Sequence, residues 1–368
     1  LDEVLLRVGA VDDRHQNGTD APEVLDAVVV RVLGLEIGRE RITLVGMKLA
    51  DQSAQVRVFD GIRIFSSIAV GSAILIATAV GFFFESGALG WQVIIALLAL
   101  AVGIPHGALD HLVTLPRSRP LKMVLFISIY VAIAIAAVWA ILEWNVYGFY
   151  VVVVMSALHF GIGDAAFLAE RDRAMGRARS PRVAQILYAL AGGVTPVLIP
   201  LVNEESAAAL AAVNPALIDW EGGLGDIFYW SAIALLVAGV VTQLAMKRER
   251  DALDLILLGL LAIMTPPLIA FAVYFGTWHA MRHTARLTLN LRKSEAAYSD
   301  DDAAKALRHA ILPGVPALIG TLVVAAGLVL LGENNFTDDF LWLLLVVIWA
   351  LTVPHMMVTA KLDRGALQ

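Results

Sequence analysis

Cysteine is absent from the 368-residue chain. Its absence excludes disulfide bonds, cysteine-ligated iron–sulfur clusters, thiolate nucleophiles and covalently attached c-type haem. Any metal that the chain binds must therefore be held by His, Asp or Glu. Charged residues are also scarce, at 16% of the sequence. No basic stripe with interleaved aromatic residues is present, so nucleic-acid binding has no support.

Hydrophobic residues make up 59% of the sequence, whereas soluble domains contain about 45–50%. The composition predicts an integral membrane protein of the all-α class, a bundle of transmembrane helices. Residues 1–61 are polar and charged, and we interpret them as an N-terminal extension without stable structure, with a small accessory domain as the alternative. Apolar runs recur from residue 62 onwards, so the transmembrane catalytic domain is predicted to cover residues 62–362.

The sequence contains ten apolar runs, and most of them are near the ~20 residues that a helix needs to cross about 30 Å of hydrocarbon. The predicted spans are residues 62–84, 89–115, 121–142, 148–168, 183–202, 226–246, 253–265, 267–289, 309–331 and 340–360. The seventh run is short, and Pro266 and Pro267 separate it from the eighth. That pair is the weakest part of the ten-span prediction.

The charges of the loops predict the direction of the spans. Basic residues follow each even-numbered span: Arg117, Arg119 and Lys122; Arg171, Arg173, Arg177, Arg179 and Arg182; Lys247, Arg248 and Arg250; Arg292 and Lys293; Lys361 and Arg364. Several of the other connections are acidic: Glu85, Glu143, Glu204 and Glu205, and Glu333 with Asp338 and Asp339. Because Lys and Arg favour the cytoplasmic side, both termini are predicted to be cytoplasmic.

Five histidines lie deep within the predicted spans, away from the span ends: His106, His159, His279, His283 and His355. All five belong to even-numbered spans, which run in the same direction. They fall about 11 to 17 residues from the outer end, which at 1.5 Å per residue places them in one layer less than about 10 Å thick. Ionisable residues in membrane spans face the bundle interior and usually mark a site. We therefore expect these side chains to converge.

The spacing of His279 and His283 indicates a metal site. Residues four apart lie on one helical face, so their rings can grip one ion. Neutral imidazole suits iron, copper or zinc. His355, which follows Pro354, is as compatible with metal binding as with a hydrogen bond between helices. His111 is predicted near the inner interface, as a surface residue or as the support of a ligand.

Two carboxylates accompany the histidines. Asp110 is four residues after His106 and can accept the second N–H of that ring, as metal-bound histidines require. Asp164 is five residues after His159 and points about 140° away around an ideal helix. It is therefore expected to support a ligand on a neighbouring span. Direct ligation of a metal by either carboxylate is the alternative.

Four stretches carry a resemblance to a known family: GIPHGALDH (103–111), LHFGIGD (158–164), WHAMRH (278–283) and LTVPHMM (351–357). Together they resemble the Brp/Blh family, the bacterial and archaeal membrane β-carotene 15,15′-dioxygenases. The four motifs lie on four different predicted spans. The resemblance as a whole covers roughly residues 65–360. The polar N-terminal stretch is not part of the family pattern.

The resemblance implies a ferrous ion, Fe(2+), bound by His106, His159, His279 and His283. His355 matches a recurrent family motif and is expected to support a ligand or to line the pocket. The implied reaction is addition of O2 to the central 15,15′ double bond of β-carotene, which gives two molecules of all-trans-retinal. It also implies a multi-pass protein of the plasma membrane with a functional link to a retinal-binding rhodopsin. No organic cofactor is implied.

β-Carotene is wholly apolar and about as long as a bilayer is thick, so a lipid-facing tunnel is its expected route. Aromatic residues at or outward of the histidine layer are candidates for its wall. They are Phe149, Tyr150, Phe271, Tyr274, Phe275 and Trp278. Interfacial aromatic residues or helix packing explain any single one equally well.

Other functions fit the sequence less well. A retinal-binding photoreceptor needs a lysine in mid-membrane, whereas Lys48, Lys122, Lys247, Lys293, Lys305 and Lys361 all lie in loops or at span ends. A histidine-lined transporter of transition metals or protons predicts polar residues through the full membrane depth and often an internal repeat. The outer halves of the histidine-bearing spans are nearly all apolar. The transporter stays the alternative, together with cleavage of a different carotenoid.

Overall fold

The computed structural model describes residues 53–83, 92, 95, 98–99, 101–114, 120–319 and 338–368. These residues form helices joined by turns, and no β-strand occurs among them. The predicted all-α class is thus confirmed for the described part of the chain. Its α-helices are α1 (Ala54–Phe83), α2 (Asp110–Thr114), α3 (Pro120–Glu143), α4 (Asn145–Ala174), α5 (Arg182–Leu201), α6 (Ser206–Val213), α7 (Gly225–Ala245), α8 (Glu249–Met264), α9 (Pro267–Val273), α10 (Ala280–Leu287), α11 (Arg292–Ser299), α12 (Ala303–Ile311) and α13 (Asp338–Leu367).

Six of the described helices are long and apolar enough to cross a membrane: α1, α3, α4, α5, α7 and α13. This finding supports a membrane protein. The seventh predicted span corresponds to α8, which has only 16 residues. The eighth corresponds to α9 and α10 with a π-helical segment between them. The second and ninth predicted spans lie partly outside the described residues, so the count of ten stays a prediction.

Helix α1 begins at Ala54, within the stretch that the sequence assigns to the N-terminal extension. Its first turns are buried through Ala54, Val56 and Phe59. The polar residues there are paired rather than solvated, since Asp60 accepts from Arg171 at 2.5 Å. The packed part of α1 therefore includes residues ahead of position 62. Residues 1–52, which hold the rest of the predicted extension, lie outside the described residues.

Buried ion pairs join the ends of several helices. Arg63 of α1 contacts Asp251 at 2.5 Å and Asp254 at 2.9 Å, both in α8. Asp254 also accepts from Arg282 of α10 at 2.9 Å. Removing one member would leave an unpaired buried charge, which typically costs about 3–5 kcal/mol. The first turns of α8 therefore meet the beginning of α10 and the part of α1 around Arg63.

A second set of buried ion pairs lies beside the first, and we call the two sets together the ion-pair belt. Arg286 of α10 contacts Glu170 of α4 at 2.9 Å and Asp363 of α13 at 2.7 Å. Arg248, just ahead of α8, contacts Asp172 of α4 at 2.6 Å. The ends of α4, α10 and α13 thus lie at the same end of the bundle as the beginnings of α1 and α8. Alternating basic and acidic loops predict this arrangement.

Helices α4 and α5 cross with their backbones in direct contact. A Cβ atom on Gly161 would lie 1.9 Å from the carbonyl oxygen of Ala189. A Cβ atom on Gly193 would lie 1.9 Å from the carbonyl oxygen of Ala157. Small residues allow this close approach between membrane helices. The contact also fixes the part of α4 that carries His159.

We expect Gly161→Ala to destabilise the protein by about 2 kcal/mol or more, because the added methyl group forces two helix backbones apart. The measurement is thermal unfolding of the purified protein in detergent. Gly71→Ala is the matched control, because no atom lies within 4 Å of a Cβ at that position. Equal melting temperatures for the two variants would contradict the close crossing.

Candidate metal centre

His106 lies in a 3₁₀ turn, Ile104–Leu109, that precedes α2. Its Nδ1 atom donates a hydrogen bond to the carbonyl oxygen of Gly103. A carbonyl oxygen only accepts, so Nδ1 carries the proton and Nε2 keeps its lone pair. A Cβ on Gly103 would overlap the ring of Phe275. The turn therefore sets both the orientation and the tautomer of His106.

His279 and His283 follow an irregular helical segment. A π-helix, Tyr274–His279, joins α9 to α10. Such segments are rare, and they occur frequently at functional sites. The two rings are nearly parallel, at 19°, with centroids 6.3 Å apart, so both point to the same side of the helix. The sequence predicts the break at Pro266 and Pro267 but carries no signal for the π-helix.

Glycines bring the neighbouring helices close to this segment. A Cβ on Gly276 would lie 2.6 Å from the carbonyl oxygen of Ala99, so the backbone at Ala99 approaches the π-helix directly. Gly163 of α4 faces the ring of His279, where a Cβ would be 3.4 Å from Cε1. Both glycines therefore leave room for the histidine-bearing helices to pack together.

The five histidine rings that the sequence predicts to converge form one cluster. The centroid of the His106 ring is 5.6 Å from that of His279, 5.3 Å from His283 and 5.2 Å from His355. The centroid of His159 is 4.9 Å from that of His279 and 5.1 Å from His355. Four rings thus form a closed cycle in the order 106, 279, 159, 355.

The fifth ring, that of His283, lies beside all four members of this cycle. Its centroid is 5.3 Å from that of His106, 6.5 Å from His159, 6.3 Å from His279 and 5.4 Å from His355. Two imidazoles bound to one ion with metal–nitrogen bonds of about 2.1 Å have centroids roughly 4.5–6.5 Å apart. The observed spacings fall in that range.

Most nitrogens of these rings are buried without a hydrogen-bond partner in the described structure. They are Nε2 of His159, Nδ1 and Nε2 of both His279 and His283, and Nε2 of His355. Leaving a buried polar atom unsatisfied costs about 1–3 kcal/mol. A transition-metal ion would satisfy several of these atoms at once, so the donor set fits such an ion.

The donor atoms are not yet arranged as a coordination sphere. Among the described residues, no group of three His, Asp or Glu side chains has the geometry to hold an ion as it stands. The rings are already adjacent, and we expect rotation of the side chains to bring their nitrogens together. Metal binding by His106, His159, His279 and His283 stays a prediction at this point.

Asp110 supports a different histidine from the one predicted. Its carboxylate lies 3.0 Å and 2.9 Å from Nδ1 of His355, and it accepts from the hydroxyl of Tyr130 at 3.1 Å. The expected bond to His106 is wrong, because the 3₁₀ turn changes the spacing of an ideal α-helix and the Nδ1 of His106 is taken by Gly103. The sequence gives no signal for Tyr130, which lies on α3.

Asp164 also avoids the histidine rings. It is fully buried and accepts from the indole Nε1 of Trp278 at 2.7 Å. The guanidinium of Arg282 stacks 3.7 Å from the centroid of the Trp278 ring. Asp164 thus orients the π-helical segment that carries His279 rather than an imidazole. His111 is half-buried and is not part of the ring cluster among the described residues.

Aromatic rings cover one side of the cluster. Phe275 lies 5.7 Å from His106 and 6.3 Å from His279, and it stacks on Phe271. Tyr274 lies 6.4 Å from His279. The closest aromatic contact to His279 is Phe160, at 4.4 Å. Phe160 is not among the aromatic residues predicted from the sequence, although its position beside His159 was the available signal.

The other three tunnel candidates pack elsewhere among the described residues. Phe149 contacts Trp220 at 5.3 Å and Trp349 at 5.5 Å. Tyr150 donates a hydrogen bond to the carbonyl oxygen of Trp220, and Trp278 faces Asp164 as described above. The tunnel itself stays a prediction.

Comparison with known proteins places these residues in a family. The model of the family described as "Beta-carotene 15,15'-dioxygenase" matches residues 97–363, which include all five clustered histidines. The chain belongs to this family. No solved structure matches it.

Two relatives carry the same description. The "Probable beta-carotene 15,15'-dioxygenase Blh" of Halobacterium salinarum is 28% identical over 291 residues, which cover 72% of this chain and 82% of that protein. The "Beta-carotene 15,15'-dioxygenase" of an uncultured marine bacterium is 28% identical over 195 residues, which cover 50% of this chain and 66% of that protein.

We expect His279→Ala and His283→Ala to reduce the transition metal retained by the purified protein by more than tenfold, because each change removes a buried nitrogen donor. The measurement is metal analysis of detergent-purified protein by mass spectrometry. His111→Ala is the control, because this histidine lies near the site but outside the ring cluster. If all three variants retained as much metal as the wild-type protein, a histidine metal centre would be contradicted.

Proposed function

We propose that this protein cleaves β-carotene with O2 at the 15,15′ double bond and releases two molecules of all-trans-retinal. As a member of the β-carotene 15,15′-dioxygenase family it is an enzyme of carotenoid cleavage. One observation carries the proposal most directly: five buried imidazole rings cluster within the matched residues. His106, His159, His279 and His283 are proposed to hold the Fe(2+).

The ferrous ion would supply the ability to activate dioxygen, which reacts slowly with closed-shell organic molecules. The protein's own residues position the donors and keep water away. The 3₁₀ turn holds the His106 ring through Gly103, and each of the five rings is at most 7% exposed. Four neutral imidazoles add no negative charge, so the bound ion keeps its full positive charge.

The aromatic surface beside the cluster suits a carotenoid. Phe160 and Phe275 present ring faces and edges next to His279. Such surfaces contact a polyene chain favourably and leave no buried polar group unpaired. A substrate that is itself wholly apolar would enter from the lipid. We therefore propose that its route is lined by the side of the histidine cluster that carries Phe271, Tyr274 and Phe275.

We propose that the bundle has ten spans, with both termini cytoplasmic, in the plasma membrane. The ion-pair belt supports the alternation of directions, because it gathers the beginnings of α1 and α8 with the ends of α4, α10 and α13. The loop charges support the cytoplasmic side for this end. The lipid bilayer is then the partner that delivers β-carotene, and a retinal-binding rhodopsin is the proposed recipient of the product.

We expect bacteria that accumulate β-carotene to lose their orange colour and gain retinal when they express this chain. His279→Ala should abolish retinal formation, because it removes a nitrogen donor from the ring cluster. His111→Ala should retain the activity. The measurement is chromatography of extracted pigments, with protein levels in the membrane fraction checked for each variant.

Unchanged β-carotene with folded, iron-loaded wild-type protein would contradict this substrate. If other carotenoids from a panel were then cleaved to products of other chain lengths, the substrate would be a different carotenoid. Metal uptake into vesicles that contain the protein, without pigment cleavage, would favour the transporter.

A further inference from the structure

Four histidines are assigned to the iron in the proposed function, but the structure contains a fifth ring in the same cluster. His355 of α13 is 5% exposed. Its centroid lies 5.2 Å from that of His106, 5.1 Å from His159 and 5.4 Å from His283. These separations match those among the four assigned rings. The position of its ring alone therefore does not distinguish His355 from the four assigned ligands.

The hydrogen bonds of His355 determine which nitrogen faces the cluster. Its Nδ1 lies 3.0 Å and 2.9 Å from the two oxygens of Asp110. An ionised carboxylate only accepts, so Nδ1 carries the proton. In the neutral ring Nε2 then has a free lone pair, and this buried atom has no hydrogen-bond partner in the described structure.

Asp110 is itself held in place. The hydroxyl of Tyr130 on α3 donates to it at 3.1 Å, and Asp110 is 4% exposed. A carboxylate bonded to the outer nitrogen of an imidazole is the usual support of a metal-bound histidine, where it fixes tautomer and ring orientation. Tyr130, Asp110 and His355 form this arrangement across three separate helices. A histidine that only joined two helices would not need a free Nε2 beside four other imidazoles.

We propose that His355 supplies a fifth imidazole to the metal centre through Nε2, and that Asp110, held by Tyr130, is its positioning residue. This inference rests on the proposed function only in requiring that the cluster binds a metal. It changes the expected centre from four protein nitrogens to five. One of six positions would then remain for a small molecule such as dioxygen.

The test uses Co(2+) as the probe, because its visible absorption reports the number and kind of ligands and needs no substrate. Wild-type protein, His355→Ala, Asp110→Asn, Tyr130→Phe and the control His111→Ala are stripped of metal in detergent and titrated with Co(2+). We expect His355→Ala to change both the position and the intensity of the absorption bands and to weaken binding more than tenfold. Loss of a supporting carboxylate typically weakens metal binding by about 10–100-fold, so Asp110→Asn should fall in that range.

Tyr130→Phe should weaken binding less than Asp110→Asn, because it removes one hydrogen bond and leaves the carboxylate in place. The His111→Ala spectrum should equal that of the wild type. Asp110→Asn keeps the side-chain volume, so it carries the test if His355→Ala fails to fold, which circular dichroism and gel filtration would show.

A wild-type spectrum in the folded variants His355→Ala and Asp110→Asn would overturn the proposal. If His355→Ala bound Co(2+) more weakly but kept the wild-type absorption spectrum, the proposal would also be overturned, since a purely structural histidine gives that result. If the wild-type protein itself binds no Co(2+) or Fe(2+), the proposed function fails instead. The two failures are therefore distinguishable.

Discussion

Five imidazole rings share one small volume inside this helical bundle, and six of their nitrogens are buried without a hydrogen-bond partner in the described structure. Polar atoms without partners destabilise a folded protein, and more so where no water is available. The rest of the bundle holds these rings together against that cost. A bound transition metal would turn the unfavourable group into a favourable one, which couples folding of this region to metal binding.

The packing around the rings shows how the chain maintains this arrangement. Gly161 and Gly193 bring α4 and α5 into backbone contact beside His159, and Gly276 does the same between the π-helix and Ala99. Buried Arg and Asp or Glu pairs join helix ends at one end of the bundle. Such pairs specify which helix ends meet, because a mismatched arrangement would leave a charge unpaired in the interior.

The sequence predicts some features of this site well and others poorly. Apolar runs and histidine positions predict the helices and a shared depth, because both depend on simple periodicity and on the cost of burying polar groups. The hydrogen-bond partners that a side chain finds on other helices cannot be predicted from spacing in the sequence. Asp110 was expected on His106, but the 3₁₀ turn directs it to His355, and Tyr130 joins it from a helix that no local pattern connects.

Local irregularity accounts for the other differences. The π-helix at Tyr274–His279 changes which residues face the cluster, so that Phe275 lies beside the rings while Trp278 turns to Asp164. Its residue types also occur in ordinary helices. The sequence does not reveal the early start of α1, because Asp60 looks solvated there, whereas in the folded chain it pairs with Arg171.

The central claim is that the clustered histidines bind one iron ion. X-ray absorption at the iron edge of the purified, Fe(2+)-loaded protein tests it most directly, because bound imidazole gives a characteristic multiple-scattering pattern. We expect a single iron site with a shell of nitrogen neighbours at about 2.1 Å and at least four imidazole contributions. An iron spectrum dominated by carboxylate or water oxygens, without imidazole scattering, would contradict it.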